Sequence, residues 1–200
     1  MIRLAILGST RGTNLNALVE AIDKKDLAAT IELVISNKAD ALILEKAVNL
    51  GLEALFVDPK NLSRQAYNLQ LSKLLSEHKV DLVVLIGYMS ILSSHFVSDW
   101  PNKIINIHPS LLPAYSGLMD LAVHQAVLDA AESESGCTVH FVTEEVDSGP
   151  IILQKYCPVM KSDSAELLKA RVQQLEGKAL VEAIKIIASK ANYKSTNHKR

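Results

Sequence analysis

An amide and an imidazole lie two residues apart at the end of a short apolar run. Ile104 and Ile105 precede Asn106 and His108, and Pro109 follows the histidine directly. Alternate side chains of a strand point to the same side, so the sequence predicts that Asn106 and His108 share one face of a sheet. Because Pro109 has no N–H to donate to a neighbouring strand, we expect the pair at the carboxyl end of a strand.

This pair is suited to chemistry at a carbonyl carbon. An amide N–H stabilises the oxyanion that develops when such a carbon is attacked, and an imidazole transfers protons at neutral pH. A histidine near an apolar strand is nevertheless more often a packed or surface residue than a catalyst, and the spacing alone leaves both roles open. The neighbouring Asn106 favours the catalytic role of His108.

The elements that precede this strand indicate an open α/β fold. Short apolar runs alternate with helical patterns, and they occupy residues 2–7, 31–35, 54–57, 81–86 and 104–108. Such alternation predicts a doubly wound, mostly parallel Rossmann-like sheet flanked by helices. Sheets of this kind bind ligands at the carboxyl ends of their strands, where Asn106 and His108 are expected.

The pattern changes after Pro113. Two apolar runs, at residues 137–143 and 151–156, flank a polar turn, and a helical pattern then continues to about residue 189 with Asp163 and Glu166 as a candidate capping pair. We therefore expect an antiparallel strand addition and a long helix on the C-terminal side of the sheet. The prediction is a single domain over residues 1–200, with a phosphate- or nucleotide-binding half at about 1–100, a catalytic half at about 101–190 and a tail at 191–200.

A glycine-containing loop follows the first strand. Gly12, Thr13 and Asn14 precede a helical pattern, but the loop matches neither the dinucleotide fingerprint nor the P-loop motif. Small residues at a helix N-terminus suit a phosphate group, because backbone N–H groups and the helix dipole both favour an anion. An ordinary strand-to-helix turn explains the same residues equally well.

Composition narrows the classes of function. The 200 residues are 48% hydrophobic with a net charge of −1, which is ordinary for a globular domain and predicts neither nucleic-acid nor membrane binding. The first residues form too short an apolar run for a secretory signal, so we expect a cytoplasmic protein. Cys137 and Cys157 have no spacing typical of a metal site and are expected to be free thiols.

Five segments together resemble the folate-dependent formyltransferases. They are Gly12-Thr13-Asn14-Leu15, Ser36-Asn37-Lys38-Ala39-Asp40, Tyr88-Met89-Ser90-Ile91-Leu92, Asn106-Ile107-His108-Pro109-Ser110-Leu111-Leu112-Pro113 and Val146-Asp147-Ser148-Gly149-Pro150. Within this family the sequence is most similar to the branch that formylates 5-phosphoribosylglycinamide (GAR) in purine synthesis. The resemblance implies 10-formyltetrahydrofolate as formyl donor, GAR as acceptor and no metal ion.

The resemblance also assigns roles to residues. Asn106, His108 and Asp147 are implied as the catalytic residues: the amide would bind the oxyanion, and an imidazolium at His108 would stabilise it and protonate the departing folate. Asp147 as a carboxylate is expected to raise the pKa of His108. GAR would contact Gly12, Thr13, Asn14 and Glu176. Folate would contact Arg64, Met89, Ser90, Ile91, Leu92, Asn106, Val142, Glu144, Glu145, Val146 and Asp147. The resemblance thus implies that the half at about 101–190 is folate-binding as well as catalytic.

Two positions depart from the family pattern. Ser90 stands where many members carry a basic residue, and Leu118-Met119-Asp120 follows Gly117 where the family version places a histidine after Gly-Leu. The first departure bears on the side-chain contacts to folate. The second means that the resemblance gives His124 no role.

Three alternatives share parts of this pattern. A methionyl-tRNA formyltransferase would add a C-terminal, usually basic domain, and a formyltetrahydrofolate deformylase would use water as acceptor and add an N-terminal domain; neither is expected here. A phosphate-binding module without catalysis has no need for Asn106, His108 and Asp147 together. The sequence leaves open whether the protein is a monomer or a homodimer.

Overall fold

The computed structural model describes residues 1–197, with the side chains of residues 1–190. Seven strands form one sheet: β1 (Ile2–Leu7), β2 (Ala29–Ser36), β3 (Ala54–Phe56), β4 (Leu82–Leu85), β5 (Ile104–His108), β6 (Glu134–Phe141) and β7 (Ile151–Pro158). Six helices accompany them: α1 (Leu15–Asp23), α2 (Leu42–Asn49), α3 (Arg64–Glu77), α4 (Ser94–Asp99), α5 (Leu121–Asp129) and α6 (Ala165–Asn197).

The sheet has a parallel part and an antiparallel part. Its strand order is β3-β2-β1-β4-β5-β6-β7; the first five strands in this order pair in parallel, whereas β6 pairs antiparallel with β5 and β7 antiparallel with β6. The predicted doubly wound fold with an antiparallel addition and a long final helix is thus confirmed. The site residues of β5 lie at the junction between the parallel and antiparallel parts.

The sheet separates two hydrophobic cores. One face packs against α1, α2, α5 and α6 and receives Ile105 and Ile107 of β5. The other face packs against α3 and α4 and receives Ile104. Because side chains alternate along β5, Asn106 and His108 project on the same side as Ile104, toward the face that α3 and α4 cover.

A glycine allows α1 and α6 to pack closely. A Cβ atom at Gly177 would lie 2.6 Å from the Cβ atom of Ala17 in α1, which is closer than real Cβ contacts. Gly177 therefore serves the contact between the two helices at the expense of helix propensity.

The start of α6 differs from the prediction. The hydroxyl of Ser164 accepts a hydrogen bond from the Leu167 N–H, so Ser164 is the capping residue. Asp163 instead accepts hydrogen bonds from Arg171 and from the Met160 N–H. The prediction that Asp163 and Glu166 cap this helix is therefore wrong. Helix α6 continues past residue 189 to Asn197. Of the predicted tail at 191–200, residues 198–200 and all the side chains lie outside the described residues.

Candidate active site

Two paired strands supply the fixed part of the site. In the antiparallel ladder between β5 and β6, Asn106 lies directly opposite His140 and His108 lies opposite Thr138. Directly paired residues project to the same side of a sheet. The register therefore adds the imidazole of His140 to the amide and imidazole of β5, and His108 and His140 are both almost completely buried.

The loop between β6 and β7 carries the acid. It folds back over the strands, and Asp147, at its turn, has a positive φ of 55°. One oxygen of the Asp147 carboxylate accepts a hydrogen bond of 2.9 Å from the Gly117 N–H. At Gly149 a Cβ atom would lie 1.8 Å from the Phe141 carbonyl oxygen, so only glycine lets the loop approach the end of β6 this closely.

The four polar side chains converge. The Asp147 carboxylate lies 3.3 Å from Nδ1 of His108 through one oxygen and 3.6 Å from Nε2 of His140 through the other. Nδ2 of Asn106 lies 3.3 Å from the same Nε2 of His140. The loop has thus folded onto Asn106 and His108, as the proposed catalytic roles require, and the site contains a carboxylate, an amide and two imidazoles.

The hydrogen bonds of His108 determine where its protons lie. Nε2 is 3.1 Å from the Tyr115 carbonyl oxygen, which can only accept, so Nε2 carries a hydrogen. A second proton would be placed on Nδ1, facing Asp147. Burial lowers the pKa of His108 below its usual value, and the opposing effects of Asp147 and the Tyr115 carbonyl are smaller. The expectation that Asp147 gives His108 a raised pKa is therefore wrong. Asp147 does favour a higher pKa, but the loss of water around the buried ring lowers the pKa by more.

The sequence patterns do not single out His140. It lies between Val139 and Phe141 in an apolar run, and this pattern indicates a packed core residue. The signal that could have found it is the alternation of Thr138 and His140 with apolar neighbours, which repeats the polar alternation of Asn106 and His108 in β5. Burial lowers the pKa of His140 as well, so the ring is neutral at neutral pH.

The glycine loop contacts the last helix. Asn14, at the start of α1, donates a hydrogen bond of 2.7 Å from Nδ2 to the Glu176 carboxylate of α6 and makes no side-chain cap to its own helix. Burial raises the pKa of Glu176, while Asn14 and Lys169 act in the opposite direction. Gly12 has a φ of 59°, and a Cβ atom there would lie 2.3 Å from the Ile43 side chain. Of the four predicted GAR residues, Asn14 and Glu176 are thus hydrogen-bonded to each other and Gly12 lies in a tight turn. Thr13 is exposed.

The predicted folate residues lie on strand β5, on helix α3 and in the loops that follow β4 and β6. Arg64 is the first residue of α3 and is exposed. Met89 and Ile91, in the loop after β4, are also exposed, and the Met89 N–H donates to the Ser9 hydroxyl in the glycine loop. Ser90, Leu92, Val142 and Asp147 are partly buried, whereas Glu144, Glu145 and Val146 are exposed. Only Asn106 and Asp147 of this set make contacts within the cluster of four polar side chains.

The described residues contain neither a metal-binding cluster nor a membrane-spanning helix. Among side chains 1–190, no group of three or more His, Cys, Asp or Glu residues is arranged to hold a metal ion. Within residues 1–197, no helix combines the length and apolarity needed to span a bilayer. Cys137 and Cys157 are free and buried.

Comparison with known proteins shows the family and the fold of this chain. The family model described as formyl transferase matches residues 2–184. Phosphoribosylglycinamide formyltransferase of Escherichia coli is 41% identical over 174 residues, which cover 86% of this chain and 81% of that protein. The crystal structure of glycinamide ribonucleotide transformylase 1 from Symbiobacterium toebii superposes with a TM-score of 0.90 at 41% identity, covering 95% of this chain and 89% of that one.

Longer relatives contain the same unit. The trifunctional purine biosynthetic protein adenosine-3 of Gallus gallus is 43% identical over 191 residues, or 95% of this chain, and the match covers 19% of that protein. For the corresponding protein of Drosophila pseudoobscura pseudoobscura the match covers 14%. The chain thus spans less than a fifth of the length of these relatives. The expected family is confirmed, and the chain belongs to the formyl transferase family.

Proposed function

We propose that the protein transfers the formyl group of 10-formyltetrahydrofolate to the amine of GAR, a step of purine synthesis. The observation that carries the proposal is the convergence of Asn106, His108 and Asp147. Their chemistry matches transfer between two nitrogen atoms through a tetrahedral intermediate. The similar proteins from Escherichia coli and Symbiobacterium toebii are both named for this substrate. We further propose a cytoplasmic location. We also propose that residues 1–100 form the phosphate- or nucleotide-binding half and residues 101–190 the catalytic and folate-binding half.

Each residue then has a defined task. The GAR amine attacks the formyl carbon, a C–N bond forms, and the carbonyl oxygen becomes an oxyanion to which Asn106 donates an N–H. The amine gives up one proton to the His108–Asp147 pair. Since Nε2 of His108 already carries a hydrogen, the proton resides on Nδ1, next to the Asp147 carboxylate. When the bond to the folate nitrogen breaks, the pair returns a proton to that nitrogen, and no net proton is consumed.

The substrate positions follow from the two loops. The phosphate of GAR would bind at Gly12, Thr13 and Asn14, where the α1 N-terminus lacks a cap from the Asn14 side chain. Glu176 would orient the ribose or glycinamide part beside Asn14. The exposed apolar side chains of Met89 and Ile91 would pack against the pterin ring, and Arg64 would pair with the anionic glutamate end of folate.

A mixing experiment tests the proposal. The absorbance of 10-formyltetrahydrofolate is followed with and without GAR, for the wild type, His108→Ala and the control His95→Ala, whose side chain is 60% exposed in α4. We expect turnover that requires GAR, falls by about 10²-fold or more in His108→Ala and is unchanged in the control. Equal folate release without GAR would indicate a deformylase, and no turnover in the wild type would refute the proposal.

A further inference from the structure

The second imidazole of the site has a bonding pattern that limits what it can do. Nδ1 of His140 lies 2.9 Å from the Phe141 carbonyl oxygen, which is only an acceptor, so Nδ1 carries the hydrogen of the neutral ring. Nε2 then bears a lone pair and can only accept. With 2% of its surface exposed, His140 cannot exchange these partners freely for water.

Two groups face this lone pair. Nδ2 of Asn106 lies 3.3 Å away and can donate to it, whereas the Asp147 oxygen at 3.6 Å is itself an acceptor and repels it. The neutral ring therefore selects Asn106 as its partner. Burial lowers the pKa of His140, and His108 lowers it further because it disfavours a positive charge on the neighbouring ring. Both effects keep the His140 ring neutral.

The contact also decides which way the Asn106 amide points. An amide can rotate by half a turn, exchanging its oxygen and nitrogen, and the rotated form would place the carbonyl oxygen against the Nε2 lone pair. The rotated form is thus disfavoured, and the nitrogen stays on the side of His140. One N–H of Asn106 binds His140, and the second N–H remains available in a fixed plane.

From this geometry we propose that His140 is a positioning residue that holds the Asn106 amide in the orientation needed to donate to the oxyanion. The inference rests on the proposed formyl transfer and adds a residue that does not itself touch the reacting atoms. A preorganised donor stabilises the transition state because it need not be reoriented as charge develops. Loss of His140 should thus lower kcat and leave the KM values nearly unchanged.

A double-mutant cycle tests the proposal. The kcat of wild type, His140→Phe, Asn106→Ala and the double variant is measured, and His140→Gln serves as the matched variant whose amide oxygen can still accept from Asn106. We expect His140→Phe to lower kcat by about 10-fold or more, and His140→Gln to recover most of this loss. In the Asn106→Ala background the same Phe substitution should change kcat by less than about 3-fold, because its target is gone.

A second measurement is independent of turnover. The nitrogen chemical shifts of ¹⁵N-labelled histidine show which ring atom is protonated in the wild type and in Asn106→Ala. We expect His140 to carry its proton on Nδ1 and to show a hydrogen-bonded Nε2 whose shift changes in Asn106→Ala. A proton on Nε2, or equal kcat losses for His140→Phe in both backgrounds, would overturn the proposal. Absence of wild-type turnover would refute the proposed function and with it the catalytic part of the inference, whereas the tautomer tests separately whether His140 holds the Asn106 amide.

Discussion

Burial of one histidine outside the cluster of polar side chains makes the stability of the fold depend on pH. His124 lies in α5 with 1% of its surface exposed, and its Nδ1 atom has no hydrogen-bond partner among the described residues. Desolvation, together with the charge of Lys169, lowers the pKa of His124 from 6.5 to about 4, although Asp120 acts in the opposite direction. Protonation of this ring is therefore much easier in the unfolded chain.

The sign and size of the effect follow from this difference. Between pH 6.5 and about 4 the unfolded state binds more protons than the folded state, so the free energy of unfolding falls as the pH falls through this range. Well above pH 6.5 the ring is neutral in both states, and no stability is lost through its protonation. At about 1.4 kcal/mol for each pKa unit, about 3 kcal/mol is lost in total and about 2 kcal/mol of it by pH 5.

Urea unfolding at about pH 7.5 and about pH 5 measures this loss. We expect the wild type to lose about 2 kcal/mol more than His124→Leu, which fills a similar volume without a titrating group. His108 and His140 also have lowered pKa values, but both proteins retain them. The variant His95→Gln, at an exposed position, should behave as the wild type. Equal losses in the wild type and His124→Leu would refute the reasoning.

Three further substitutions should change kcat, the KM for GAR and the free energy of unfolding, respectively. Gly149→Ala should lower kcat about 100-fold or more in the formyl-transfer assay, because the new Cβ atom would displace the loop that carries Asp147. Gly12→Ala should raise the KM for GAR about 10-fold, since both its φ of 59° and the Ile43 side chain oppose a Cβ atom. Asp120→Gly should raise the free energy of unfolding by about 1 kcal/mol in urea titrations, because Asp120 has φ 54° and ψ −132°, a conformation suited to glycine.

Each substitution has a control within the chain. Gly51→Ala tests the two glycine predictions: it has a φ of 72° with no atom within 4 Å of the new Cβ, and it lies outside the site. Its kcat and KM should equal those of the wild type, and a similar loss there would contradict the argument from close contacts. Asp120→Ala removes the ion pair with Lys169 but keeps the backbone strain, so it should be no more stable than the wild type.

The sequence predicted those parts of the site that depend on local pattern. The apolar run with Asn106 and His108, closed by Pro109, places both side chains on one face in any sheet, and the structure has them there. Asp147 lies in a turn that local chemistry alone would explain, and only the resemblance to the family singled it out. Its position over the strands depends on the close approach at Gly149, which is a tertiary contact.

The parts that were missed depend on long-range pairing and burial. His140 joins the site through its register with Asn106, and a single sequence does not fix how two distant strands pair. The pKa of His108 depends on how much water the fold removes from the ring, which outweighs the nearby carboxylate. The spacing of Asp163 and Glu166 predicts a capping pair for α6, but the ion pair of Asp163 with Arg171 engages that carboxylate, and Ser164 caps the helix instead.

The pairing of Asn106 with His140 constrains how the gene can change. Residues 130–133 form the connecting segment between α5 and β6, and insertions or deletions there leave the ladder register free to re-form with the same partners. A single codon gained within β5 or the last residues of β6 would instead turn the polar side chains into the opposite hydrophobic core. We therefore expect length variation among homologous genes to concentrate in the connecting segment and to be absent from the two short paired stretches.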